Sequence, residues 1–505
     1  MLFNSPAYIF LFLPAAVLLY FLLNRWRFGF AASAWLVLAS LFFYGCWNPA
    51  HLPLLLLSII VNFALGTMLQ QAGRSGKFGL ARRVILPFGI CFNLGLLGYY
   101  KYADFFLANF NSLLGAALPL PQLALPLAIS FFTFQQIAYL VDCGRENAKE
   151  YDFLNYCLFV TFFPQLVAGP IVHHQEMMPQ FARLRNRLPA PRNMALGLFF
   201  FSLGLFKKVW IADQFSVWAG TGFAANNALT FFDAWGASLS YTFQLYFDFS
   251  GYSDMAVGAA LFCNIVLPVN FDSPYQAASI QDFWRRWHIT LSRWLRDYLY
   301  IPLGGSRKGL PRTCLNLFVT FLLGGLWHGA GWTFVLWGGL HGAALVVHRL
   351  WQERGLRLPV VLGWLCTFLF VNASWVIFRA ANLEDGLGVL KGMIGLNGIV
   401  FSAGMTQLLE QISPLRGQLT AGTLLLPGEM RWHLLAFAAV LFLLPNSCRI
   451  GGLLQNRPSE KNRILRRVLR FRPNLGWAVL TGLLFSCALY RMLRAAPSEF
   501  LYFNF

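Results

Sequence analysis

Charge is what this sequence has least of. Asp, Glu, Lys and Arg together make up 12% of the 505 residues, where a soluble domain carries about 25%. That deficit excludes an ordinary water-soluble fold, and no polar stretch is long enough to form a separate soluble domain, so the chain reads as one integral domain over residues 1–505. Clustered cysteines are also missing. The nine are scattered singly at 46, 91, 143, 157, 263, 314, 366, 448 and 487, without C-x-x-C spacing, and most are expected to be small apolar packing residues. The chain lacks G-x-S-x-G, G-x-G-x-x-G, H-E-x-x-H and a Walker motif, which removes the common hydrolase-elbow, dinucleotide and zinc-protease chemistries. No internal repeat is evident, which weighs against transporters built from paired halves.

What is there in quantity is apolar sequence, 57% of the chain. Runs of roughly 20 apolar residues, enough to cross a bilayer core, recur from end to end and predict an all-α polytopic membrane protein with about eleven or twelve transmembrane helices. The first run, Tyr8 to Leu23, is preceded by no basic residue, is followed by Arg25 and Arg27, and shows no small-residue cleavage site. It reads as a retained anchor. The net charge of +19 is explained by its placement. Arg74, Lys77, Arg82 and Arg83 fill one loop, Arg183, Arg185, Arg187 and Arg192 another, and Arg449, Arg457, Lys461, Arg463, Arg466, Arg467, Arg470 and Arg472 a third, while 101–122, 214–230 and 379–430 are sparse in cations. The positive-inside rule puts the basic loops in the cytoplasm and the N-terminus outside, leaving no need for a nucleic-acid partner. The alternation holds if residues 153–172 enter and leave on one side. Pro164, Gly169 and Pro170 support such a re-entrant segment, with a Pro-kinked helix as the alternative.

The least membrane-like segment, 264–312, carries the chemistry. From Trp284 to Tyr298, apolar residues recur at three- and four-residue steps, Trp284, Trp287, His288, Leu291, Trp294, Leu295 and Tyr298, which predicts one face of an interfacial helix with arginines at headgroup level. Downstream, LGGSRKG (303–309) offers backbone N–H groups, Arg307 and Lys308 to phosphate, although the same residues by themselves read first as an ordinary basic membrane-edge loop. GGLWHGAGWTFVLWGGLHG then places His328 deep between two apolar segments and His341 thirteen residues on. Ionisable groups at such depth default to functional hypotheses, and neutral histidine suits general-base work. Gly324, Gly325, Gly329 and Gly331 permit close approach of backbone or substrate, with Trp327 and Trp332 excluding water. On one straight helix, thirteen steps of 100° set His328 and His341 about 220° apart, so the pair does not read as metal ligands. His173 and His174 lack ligand spacing too and read as a solvated loop pair.

These residues resemble the membrane-bound O-acyltransferases, and within them the bacterial alginate O-acetyltransferase subfamily with the related teichoic-acid D-alanyl transferases. The likeness covers most of the chain and is carried by SFFTFQQIAYLVD (130–142), FFPQLVAGPIVHHQEMMPQ (162–180), QLYFDFSGYSDMAVGAA (244–260), the segment from FDSPYQ to LGGSR (271–307), LLGGLWHGAGWTFVLWGGLHG (322–342) and the terminal FLYFNF. It implies a funnel-shaped all-α fold with re-entrant and interfacial helices, a catalytic segment over 272–342, and two functional histidines, His288 in RRWHITLS and His328 in GLWHGA, the latter catalytic. It further implies an acyl group taken from a cytoplasmic donor, here expected to be acetyl-CoA with no bound cofactor, and passed across a bacterial inner membrane to a polysaccharide such as alginate, with cellulose or another cell-surface polymer as the alternative. The diphosphate and 3′-phosphate of coenzyme A suit Arg285, Arg286, Arg293, Arg307 and Lys308. His341, Asp248 and Tyr246 are secondary candidates, and a periplasmic esterase-like transferase is the expected partner beside membrane lipid. A secondary transporter and a non-catalytic scaffold of a polymer export complex are the rival readings.

Overall fold

The computed structural model describes residues 1–74, 78–145, 152–225, 229–401, 406, 422, 424–454, 469–495 and 498–504, and among them no β-strand forms. Lys77, Arg457, Lys461, Arg463, Arg466 and Arg467 of the basic loops lie outside the described residues. The first half runs through α1 (Leu13–Arg25), α2 (Gly29–Gly45), α3 (Leu52–Arg74), α4 (Phe78–Leu97), a π-helical turn at Gly98–Tyr102, α5 (Ala103–Leu114) and α6 (Ile129–Cys143). Two short pieces follow, α7 (Phe153–Thr161) and α8 (Phe163–Leu166), then α9 (His174–Ala182), α10 (Pro191–Phe206), α11 (Asp213–Ala224) and α12 (Phe231–Phe262). The second half adds α13 (Ile280–Trp284), α14 (Ile289–Leu295), α15 (Gly309–His328), α16 (Trp332–Glu353), α17 (Val360–Arg379), α18 (Leu383–Met393), α19 (Glu429–Leu443), α20 (Ser447–Ile450) and α21 (Leu475–Arg494).

Among the described residues, seven helices are long and apolar enough to cross a membrane, Tyr8–Arg25, Pro49–Ala72, Arg82–Leu114, Pro191–Ala224, Gly309–His328, Val360–Arg379 and Leu475–Arg494. The sequence count of eleven or twelve is higher because other apolar runs fold into shorter helices or carry polar groups into the interior. α12 is the clearest case: 32 residues long and buried along almost its whole length, it takes Asp233, Asp248 and Asp254 inside with it. It can sit so deep because α10 lies directly against it. A Cβ on Gly204 would stand 2.5 Å from the carbonyl oxygen of Gly251, and one on Gly258 2.7 Å from that of Gly197, so these glycines let two backbones touch as small residues do between membrane helices.

The 153–172 segment is broken, not kinked. α7 stops where Phe162 turns to φ −46°, ψ 108°, and its nine residues span about 13 Å, well short of a hydrocarbon core of about 30 Å. The irregular backbone that follows is buried and finds side-chain partners: Ala168 N donates to Tyr252 Oη at 3.3 Å and Ile171 N to Thr290 Oγ1 at 3.0 Å. Non-helical chain is tolerated at depth on that condition.

Two of the basic loops that the sequence puts on one side, 183–192 and the one opening at Arg449, meet the 264–312 segment at one end of the molecule. Arg187 lies beside Gly29, Arg293 pairs with Glu176, and Arg449 pairs with Asp272 at 2.5 Å. The cation-poor 115–128 stretch belongs to the opposite end, because α5 touches the start of α16, with Phe105 5.7 Å from Trp332, and α15 spans the distance back to Arg307 and Lys308, about 30 Å for 20 residues. In a cysteine-free background, a cysteine at exposed Gln122 should therefore react with an impermeant maleimide in intact cells, and one at exposed Ser306 only after permeabilisation. The reverse labelling pattern would invert the topology.

Two cysteine and histidine readings are corrected. Only Cys143, Cys157, Cys263 and Cys448 are buried, while Cys46, Cys91, Cys366 and Cys487 are exposed, because an apolar outer face on a spanning helix is as acceptable in lipid as burial. The His173–His174 pair is not solvated. His174 is buried with its ring 5.3 Å from Phe159, and His173 Nδ1 shares a 2.9 Å hydrogen bond with Tyr298 Oη.

Candidate active site

The interfacial helix expected over 284–298 is two helices with a sharp break between them. α13 ends at Trp284, and His288 takes left-handed backbone, φ 41°, ψ 55°, as the residue that opens α14. The preceding loop causes the break by pairing with the backbone that a continuous helix would use internally: Asp272 N donates to Arg286 O at 2.9 Å and Ile289 N to Asn270 O at 3.0 Å. Periodicity could not show this, since it records which residues are buried and both halves bury their rings. The sidedness holds: Trp284, Trp287, Leu291, Trp294 and Leu295 are buried, while Arg285 and Arg296 are exposed.

The break turns His288 inward. It is fully buried, 4.8 Å from the Phe249 ring, and neither of its ring nitrogens has a hydrogen-bond partner in the protein. His328 ends α15, is also buried, and leaves Nδ1 unpartnered. Trp327 and Tyr502 stand between the two imidazoles. Tyr502 lies 6.1 Å from His288 and 6.0 Å from His328, and Trp327 6.4 Å and 4.9 Å from them. Buried polar atoms in folded proteins are nearly always bonded, so two imidazoles with idle nitrogens against the same two rings mark a candidate place for a reacting group.

His341 belongs elsewhere. Trp284 Nε1 donates to its Nδ1 at 3.2 Å, which leaves the proton on Nε2, 2.9 Å from Ser374 Oγ. Both nitrogens are engaged and the residue holds α13, α16 and α17 together. His328 and His341 sit on separate helices with Trp337 between them, 5.1 Å from one and 4.7 Å from the other. A groove of about 760 Å³ lined by Ser279, His348, Arg357 and Phe370 approaches His341, through Phe370 at 5.2 Å. The glycines near His328 serve the α15–α16 hairpin: a Cβ on Gly325 would stand 2.7 Å from Gly338 Cα, and one on Gly329 2.2 Å from the Phe334 ring. Trp327 is buried as expected, but Trp332 is 57% exposed and bonds Asn109, so it does not shield His328.

Asp248 acts at one remove. Its Oδ1 accepts from Lys208 Nζ at 2.8 Å and its Oδ2 from Leu501 N at 3.0 Å, while Lys208 Nζ also donates to Glu499 O at 2.8 Å. Asn4 Nδ2 adds a bond to Ser498 O. These contacts thread the terminal segment into the core and bring Tyr502 to the histidines. Tyr246 touches neither histidine and packs on Phe271 and Tyr275.

Of the five cations expected to bind the donor, Arg286 is paired with Asp282 at 2.9 Å and Arg293 holds Glu176 with both terminal nitrogens. Arg285, Arg307 and Lys308 are exposed. From that basic end a file of rings leads inward: Tyr298 to Trp294 at 5.4 Å, Trp294 to Phe134 at 3.6 Å, Phe134 to Trp327 at 5.0 Å, then His328. Tyr298 at its mouth donates to Asp142 and meets His173; burial, and then the Arg293 guanidinium, hold the His173 imidazole below its usual pKa. From the other end, a cavity of about 50 Å³ lined by Trp47, residues 125–131, Val167 and Phe503 reaches Tyr502.

Sequence reading missed two participants. Tyr502 was visible only as part of FLYFNF, with nothing to say where a chain terminus packs. Lys101 looked like one cation in a loop, and the 101–122 stretch is helical to Leu114.

The model of the membrane-bound O-acyltransferase family matches residues 122–383. Over its full length the chain is 45% identical to a peptidoglycan O-acetyltransferase of Helicobacter pylori, covering 98% of that protein. It is 40% identical to a probable alginate O-acetylase of Pseudomonas aeruginosa, over 84% of this chain and 80% of the relative. Half of it is 27% identical to 68% of a teichoic acid D-alanyltransferase of Streptococcus thermophilus.

Proposed function

Because this chain belongs to the membrane-bound O-acyltransferase family, we propose that it carries acetyl groups from acetyl-CoA at the cytoplasmic face of the inner membrane to the O-acetylation of an extracytoplasmic polysaccharide. The observation that carries this reading is the buried cluster of His288, His328, Trp327 and Tyr502, with three imidazole nitrogens lacking protein partners. It lies between a basic end and a small opening at the other, as transfer across a bilayer requires. Peptidoglycan is the first acceptor to test, since the full-length match is to a peptidoglycan O-acetyltransferase; the alginate relatives make alginate the second.

In this reading His328 takes the proton of the acceptor hydroxyl as its oxygen attacks the thioester carbonyl. The C–O bond forms, the C–S bond breaks, and the proton passes from the imidazole to the departing thiolate. His288, in the same cluster, orients the thioester. A periplasmic esterase-like transferase is the proposed onward partner, and the N-terminus faces the periplasm.

The test uses membrane vesicles of known sidedness carrying the chain. Labelled acetyl-CoA added to inside-out vesicles should yield alkali-labile acetate on peptidoglycan or alginate, and right-side-out vesicles should not use it. Intact solute crossing without acylation would favour a transporter; acylation unaffected by loss of His328 would favour a scaffold. Replacing Arg307 and Lys308 together by Gln should raise the KM for acetyl-CoA about two- to thirtyfold at low salt with kcat unchanged, because exposed charges contribute about 0.2–1 kcal/mol each and bind ground and transition states alike. An unchanged KM would remove this pair from donor binding.

A further inference from the structure

Lys101 lies in the π-helical turn between α4 and α5, far in sequence from either histidine. Such turns recur at functional sites. Its Nζ donates to Trp327 O at 2.7 Å, to His328 O at 3.1 Å and to Ser130 Oγ at 3.2 Å. The next residue, Tyr102, donates its hydroxyl to Leu326 O at 2.7 Å. The last four carbonyls of a helix have no partner within it, so two neighbouring side chains satisfy three of the orphans at the end of α15, including that of His328 itself. After His328 the chain leaves the helix in extended conformation, Gly329 at φ −164°, and nothing within α15 restrains its final turn from that side.

We propose that Lys101, with Tyr102 beside it, is a positioning residue for acyl transfer that sets the direction of the His328 ring, a proposal that rests on the reading of His328 as the base. An ammonium group has three N–H donors, and all three are engaged, so Lys101 does not bind substrate. No carboxylate among the described residues pairs with it. Its bonds run instead to the carbonyl end of α15. That sets it apart from Lys207 and Lys208, both paired with aspartates. A residue serving packing alone would be cheaper with an apolar side chain, since a buried polar group is costly to desolvate; what the amine adds here is a hold on two consecutive carbonyls that a donor of one bond lacks.

The test is steady-state acetyl transfer by the full chain in liposomes, with thermal unfolding measured alongside. Lys101→Met should lower kcat about 10- to 100-fold, the scale of effect expected when a reacting group is displaced by about 1 Å, with the KM for acetyl-CoA within twofold. Lys101→Arg, which keeps a cation and several donors, should recover at least a third of the lost activity. Should Lys101→Met fail to fold, Tyr102→Phe removes the Leu326 bond alone and should lower kcat a few-fold at constant KM. The proposal is overturned by a kcat within twofold of wild type in Lys101→Met, by a loss of kcat that matches the loss of folded protein and is not recovered in Lys101→Arg, or by an unaffected Tyr102→Phe where it is the variant available. Absence of transfer by the wild-type chain, or full transfer by His328→Gln, overturns the underlying reading of function, and the positioning role with it; those controls separate the two failures.

Discussion

Replacing His328 by Gln lowers acyl transfer by about 10²- to 10⁴-fold, the range that general acid–base assistance supplies, while the protein remains folded. His328→Ala gives the same loss together with lower stability. The difference comes from packing. His328 is enclosed by Trp327 at 4.9 Å, Trp337 at 5.1 Å and Phe378 at 5.4 Å, so truncation leaves a cavity, whereas Gln keeps most of the volume and a polar end. Activity should be read against thermal unfolding for both. Retention of more than about a tenth of wild-type transfer in His328→Gln would be incompatible with a chemical role of that size. His341→Gln is the control: its imidazole bonds Trp284 and Ser374, so its loss should show first in unfolding temperature and only through that in kcat.

Lys208→Met is expected to destabilise the protein by about 3–5 kcal/mol, because removing one member of a buried ion pair strands the other. Lys208 and Asp248 are each 3% exposed at the side chain, and Lys208 also holds Asp213 at 2.9 Å. The same substitution releases Glu499 O, and with it the segment that carries Tyr502 to the histidines. Transfer should therefore fall further than the loss of folded protein accounts for. The double variant Lys208→Met with Asp248→Leu should be more stable than Lys208→Met alone, since the stranded carboxylate is gone, yet remain inactive because Leu501 N loses its acceptor. Unfolding temperature and transfer measured on Lys208→Met, Asp248→Leu and the double variant decide the matter. Additive destabilisation, or recovery of activity in the double variant, would show that the pair does not act through the terminal segment.

Much of the site was legible beforehand for a simple reason. A histidine inside an apolar run is expensive to place there, and the residue that cost singled out, His328, lies where the structure shows a buried, half-unpartnered imidazole. His288 was legible by its motif and its ring-bearing face, although the helix assumed for it was wrong. His341 illustrates the limit. It shares an apolar setting with His328 and stood as a secondary candidate, and only the positions of Trp284 and Ser374, 57 and 33 residues away, reveal that its hydrogen bonds are already made. Asp248 was named as a possible participant in the chemistry; its bonds to Lys208 and Leu501 make it a support.

By itself the sequence determined that this is an all-α protein of the membrane, which of its loops share an end, and which histidines its apolar runs enclose. Those properties follow from local composition: hydropathy sets the solvent of each segment, the placement of Arg and Lys sets the side, and the cost of burying polar groups picks out those retained. Only the tertiary structure decided which imidazoles keep idle nitrogens, that Tyr502 packs beside both of them, and that Lys101 secures the end of α15. Each of these depends on a contact between residues 29 to 227 positions apart in Lys101, His341 and their partners, or on where the terminal residues pack. Hydrogen bonding at that range is set by the meeting of whole helices, and no period or spacing along the chain encodes it.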